Sequence, residues 1–144
     1  MLTSTDDVLD DRAAFDAFAR NFARSLSAGD VVALSGRLGA GKTTFVRAVV
    51  GALHGSDEAV SSPTFVFRQS YPGAPPVEHL DLYRLDDPVA EWADLALDEA
   101  FAPDRIVLIE WPEHAAGRLP AVRIEVQIEG AGDGPRTVRV TRPA

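Results

Sequence analysis

A layered α/β domain on a mixed sheet is the fold class this sequence predicts, and three observations predict it. Segments with helical and with strand patterning alternate through most of the chain. One apolar, strand-like run leads through a glycine-rich turn straight into a helical stretch. The tail alternates apolar and polar residues twice, the pattern of an antiparallel hairpin with one wet face. With 144 residues, 46% hydrophobic and 25% charged, the chain is read as one domain over 1–144. That length buries about two-thirds of the unfolded surface.

Each element follows from local pattern. Between Asp10 and Leu26, Phe15, Phe18, Ala19, Phe22 and Leu26 form a helical stripe, with Asp10 or Asp11 to cap it and Gly29 to stop it. "DVVALSG", 30–36, reads as a short buried strand. Lys42 to Leu53 is helical again and Gly55 ends it. Two strands follow, Thr64 to Tyr71 and Val77 to Tyr83, joined by the turn chemistry of "PGAPP". Asp87-Pro88 starts a helix expected to run from Val89 to Phe101, with Trp92, Leu95 and Phe101 as its stripe. "RIVLIEW", 105–111, is an apolar strand that ends on a carboxylate, and Glu113 to Arg118 suits a helical turn. "AVRIEVQIEG" and "RTVRVTR" close the chain as the hairpin.

Bulk properties exclude several function classes. There is no cysteine, hence no disulfide framework and no thiolate metal site. The N-terminus is acidic and lacks a secretion-signal pattern, and no apolar run reaches the ~20 residues that span a bilayer. A cytoplasmic location with no membrane association is expected. Acidic residues outnumber basic ones 22 to 14, for a net charge of −8, and Lys42 is the single lysine. Such a chain is poorly equipped to neutralise a nucleic-acid backbone by itself.

The chemistry concentrates in "GRLGAGKTTF", 36–45. Gly36, Gly41, Lys42 and Thr43 satisfy G-x-x-x-x-G-K-[ST], between an apolar strand and a helix. In such a loop Gly36, Leu38, Gly39, Ala40 and Gly41 offer backbone N–H groups to an anion, and the helix adds its partial positive charge. Lys42 would reach the β- and γ-phosphates, Thr43 would ligate Mg²⁺, and Thr44 would lie near the α-phosphate. A loop of this kind needs a carboxylate on a neighbouring strand, which Glu110 supplies at the end of "IVLIE". Asp81, in "EHLDLYRL", shares a strand face with His79 and Tyr83. It suits a metal or an attacking water, and equally a satisfied Asp near a turn. His79 by itself reads as a hydrogen-bonded structural histidine. In "VSSPTF", Thr64 suits either a γ-phosphate-sensing switch or a capped turn. Trp111 is core or a lid; Arg68 and Arg84 are candidates for charge stabilisation or for ion pairs.

Taken together, "LSGRLGAGKTTFVRAV", "SSPTFVF", "HLDLYRL" and "LIEWPE" resemble the TsaE (YjeE) family in order, from about Phe15 to Arg118. The resemblance implies a P-loop NTPase-like three-layer α/β domain with a mixed central sheet and a C-terminal antiparallel hairpin. It implies a Mg²⁺-dependent ATPase, weak alone, that supports turnover of the TsaB–TsaD complex in the synthesis of tRNA N6-threonylcarbamoyladenosine at A37. Contact with tRNA would then be only indirect, through that complex. By motif, Lys42, Asp81 and Glu110 are implied as catalytic, Gly36, Leu38–Thr44 and Thr64 as ATP-binding, and Thr43, Asp81 and Glu110 as metal-side. Two departures stand out. Arg37 replaces a common Asp, and Leu95-Ala96-Leu97 stands where the middle residue is commonly Gly. Two other classes compete from the residues alone: a small-molecule kinase, against which the chain offers no Arg-rich lid, and a nucleotide-dependent binding module without turnover.

Overall fold

The computed structural model describes residues 2–60 and 67–143. Helix α1 (Arg12–Ala23) starts where Asp11 accepts the Ala14 N–H at 2.8 Å, which settles the choice between the two aspartates. Strand β2 (Val31–Ser35) follows, then α2 (Lys42–His54), closed by Gly55 in the left-handed region. Strands β3 (Arg68–Tyr71) and β4 (Val77–Asp81) pair antiparallel, and β5 (Ile106–Glu110) runs parallel to β4. The hairpin is β6 (Ile124–Glu129) with β7 (Arg136–Pro143). Thr64, and with it the switch-like part of its segment, lies outside the described residues.

One element had no sequence signal. Residues Leu2–Leu9 form an edge strand, β1, antiparallel to β7. Its side chains are almost all exposed, so no apolar alternation marks it. Backbone pairing and surface contacts such as Asp6 with Arg139 hold it instead.

The seven strands lie in the order β1-β7-β6-β2-β5-β4-β3. Strands β6, β2, β5 and β4 are mutually parallel, and antiparallel strands flank them, so the sheet is mixed. On one face α1 and α2 pack around Phe45, which is fully buried and meets Phe15 and Phe22 at ring centroid distances of 5.8 and 5.5 Å. On the other face Leu80, Leu82, Val107 and Ile109 pack with Trp92, Leu97 and Ala100. That makes three layers. Parallel register sets Asp81 beside Glu110, and Glu110 beside Leu34, so both carboxylates reach the edge where β2 runs into its glycine loop.

The helix expected over Val89–Phe101 is two pieces. Helix α3 (Pro88–Asp94), capped by Asp87, ends before Ala96, and a 3₁₀ segment covers Leu97–Phe101. Ala96 sits in the left-handed region at φ 50° and ψ 42°, which shifts the helical phase. Trp92, Leu97 and Ala100 are buried in consequence, while Leu95 stays 40% exposed. The conformation strains any L-residue with a Cβ and explains why glycine suits this place. Ala96→Gly is expected to stabilise the fold by about 0.5–1 kcal/mol, or about 2–4 °C in Tm, in a thermal denaturation.

A second prediction concerns Glu78, buried on β4. Arg68 donates to it at 3.1 Å from both Nε and Nη2, Arg105 at 2.7 Å and Ser70 at 2.7 Å. Burial pushes its carboxyl up, but these donors outweigh burial and hold it below the usual glutamate range. A depressed native pKa contributes stability that is full above the unfolded pKa and is lost as pH falls through the native one. Stability measured by urea denaturation should therefore fall below about pH 4.5, and less steeply in Glu78→Gln. Glu78→Ala, which takes the buried carboxylate from Arg68 and Arg105 but leaves them Glu99 and Asp104, should cost about 1–3 kcal/mol at neutral pH.

Candidate nucleotide-binding site

The loop 36–41 leaves β2 and enters α2 through Gly41, whose φ of 111° belongs to the glycine-favoured region. Gly36 is fixed by close approach: an added Cβ would stand 2.6 Å from the Ile128 carbonyl oxygen. Gly41 has no side chain to cap the first N–H groups of α2. Those donors, at Lys42, Thr43 and Thr44, therefore point out of the helix end with its partial positive charge. Arg136 of β7 braces the loop from behind, donating to the Ala40 carbonyl at 2.7 Å and to Gly134 and Gly132 of its own turn at 2.8 and 3.0 Å. That link between the hairpin and the loop carries no sequence signal, because it joins residues 96 positions apart.

Lys42 is buried, and its Nζ donates to the Gly36 carbonyl at 2.6 Å and the Arg37 carbonyl at 3.0 Å. It also lies 4.0 Å from the centre of the Trp111 ring. Burial lowers its pKa, opposed by the negative charges of Glu110, Glu113 and Asp81. Arg37 therefore serves the loop through its carbonyl; its side chain is exposed. Trp111 packs on the core beyond the sheet, as its core reading expected, and its ring lies over the Lys42 ammonium. Its φ of 58° is a strained conformation for a bulky residue, and Tyr83 packs beside it at 4.8 Å.

The carboxylates meet this loop from the next strands. Thr43 donates its hydroxyl to Glu110 at 2.9 Å (Oε1) and 3.1 Å (Oε2), which ties α2 to the end of β5. Asp81 caps the Tyr83 N–H at 3.0 Å. Burial raises the Asp81 pKa and the Glu110 charge adds to it, against the Tyr83 N–H, His79 and Lys42. Lys42, Thr43, Thr44, Asp81, Arg84, Glu110 and Trp111 line one cleft of about 360 Å³, with Leu38, Gly39 and Gly41 on its rim. Across the loop, a recess of about 250 Å³ is shared among Asp11, Phe15, Thr44 and the 132–134 turn. Arg68 belongs to Glu78 and stands apart from the site.

The site therefore gathers Lys42, Thr43, Thr44, Asp81 and Glu110 around the glycine loop, at the carboxyl edge of the parallel strands. A three-layer mixed-sheet domain with this loop at its central strand defines the class: a P-loop NTPase-like α/β fold. The family model described as "Threonylcarbamoyl adenosine biosynthesis protein TsaE" matches residues 9–138, and the chain belongs to that family. It is 40% identical over 126 residues to the tRNA threonylcarbamoyladenosine biosynthesis protein TsaE of Bacillus subtilis, covering 87% of this chain and 77% of that one. The protein of the same name from Streptomyces coelicolor is 42% identical over 124 residues, covering 83% and 82%. The crystal structure of Bacillus subtilis YdiB superposes with a TM-score of 0.80 at 29% identity, over 100% of this chain and 88% of that one.

Proposed function

We propose that this chain is the Mg²⁺-dependent ATPase of tRNA N6-threonylcarbamoyladenosine synthesis, working with TsaB and TsaD and meeting tRNA only through them. One observation carries the nucleotide part: a buried lysine, a helix N-terminus and two carboxylates converge on one glycine loop. The names borne by the relatives support the pathway part.

The donor set suits a hard cation. Thr43, Asp81 and Glu110 offer only oxygen. Mg²⁺ when bound would neutralise developing charge on the β- and γ-oxygens. The chain's residues do the rest. Loop N–H groups hold the phosphates, Lys42 exchanges its carbonyl partners for phosphate oxygens, and Thr43 faces the metal side. Asp81 and Glu110 hold the water or the metal shell. The recess at Thr44 and the 132–134 turn lies across the loop and would take the nucleoside end.

The test is ATP turnover by this chain alone, by TsaB plus TsaD, and by all three with tRNA. Low activity alone that rises with the partners is expected. Stoichiometric phosphorylation of a small acceptor would instead identify a kinase.

A further inference from the structure

The chain has three histidines, and one differs from the others in what it holds. His54 bonds the Pro75 carbonyl at 2.7 Å and His114 the Leu82 carbonyl at 2.8 Å, the work of ordinary structural histidines. His79 is fully buried on β4, and its Nε2 meets Glu110 Oε2 at 2.6 Å. Its Nδ1 meets the Tyr71 hydroxyl at 3.1 Å, and that hydroxyl donates to Gln69 at 2.7 Å. Thr43 donates to both oxygens of the same carboxylate. A continuous chain of hydrogen bonds thus crosses the site, from β3 through β4 and β5 to the first turn of α2.

A glutamate at a strand end has three rotatable side-chain bonds and, if free, loses entropy whenever it is ordered. Here the carboxylate is held at both oxygens before any ligand arrives. We propose that His79, backed by Tyr71, is a positioning residue. It fixes the Glu110 carboxylate against Thr43 so that its orientation toward the metal side is set by the protein. This rests on reading the cleft as an ATP site. Groups that orient a ligating or catalytic side chain typically matter by about 10–100-fold in activity or metal affinity. A histidine that served packing alone would affect folding and leave the chemistry of each folded molecule intact.

The experiment compares the full chain with His79→Leu, His79→Gln and Tyr71→Phe. It reads ATP affinity with Mg²⁺ by calorimetry, the single-turnover rate of phosphate release, and folded fraction by thermal denaturation. His79→Leu should keep ATP affinity within about threefold and lose about 10–100-fold in rate. His79→Gln, which returns an N–H near the Nε2 position, should recover most of that loss, and Tyr71→Phe should fall between. The proposal is overturned if His79→Leu turns over within about twofold of the unmodified chain per folded molecule. Equal losses of affinity and rate would overturn it too, as would a Gln variant no better than Leu. Should His79→Leu not fold, the Gln and Phe variants decide: a Tyr71→Phe rate equal to the unmodified chain's, or a Gln variant with affinity and rate lost together, overturns it. An unmodified chain with no turnover, alone or with partners, would overturn the ATPase reading, a different result from any variant pattern.

Discussion

Lys42→Ala is expected to abolish detectable ATP turnover. The ammonium is buried, sits at the mouth of the loop on the Gly36 and Arg37 carbonyls, and is ringed by Glu110, Glu113 and Asp81. No other lysine exists in the chain to replace it. Removing one preorganised charge donor from such a site costs on the order of 10²–10³-fold in rate. A slow intrinsic activity would then fall below a phosphate-release assay. Two loop carbonyls also lose their partner, so circular dichroism of the variant must accompany the assay. Full activity in a folded Lys42→Ala chain would falsify the phosphate-loop mechanism.

Glu110→Gln, or Asp81→Asn, is expected to weaken hydrolysis far more than nucleotide binding. Both carboxylates line the same cleft as the loop and Lys42; in the proposed function they take the metal side, while the loop N–H groups and Lys42 take the phosphates. Loss of charge there should cost about 100-fold in turnover and only a few-fold in the affinity measured by calorimetry. For Glu110 the amide replacement also disturbs the Thr43 and His79 bonds, so its effect should exceed that of Asp81→Asn. Parallel losses in binding and turnover would count against the assignment and favour a general role in folding the cleft.

Much of this site was legible in the sequence because its signals are local. The loop glycines, Lys42 and Thr43 are contiguous, and strand-to-helix context around them is a short-range pattern. The carboxyl end of "IVLIE" is equally local, so Glu110 could be placed at a strand end before any fold was known. Less local features were misread or missed. Ala96 turns left-handed within a stretch whose apolar spacing passes for one continuous helix, because a single backbone angle leaves no trace in hydropathy. Strand β1 is almost wholly exposed and shows no apolar alternation, and only its pairing with β7, at the far end of the chain, makes it a strand.

The sequence by itself determined the α/β class, the glycine loop and the residue types that could meet a phosphate and a hard cation. These follow from composition and from spacings of a few residues, where backbone sterics and helix geometry leave few choices. Only the tertiary structure decided which partner each side chain serves. It placed His79 under Glu110 rather than on a backbone carbonyl, gave Arg68 to Glu78, and set Arg136 behind the loop. The reason is physical: buried polar groups must find partners, and which partner lies within reach is set by parallel-strand register and by contacts between distant segments.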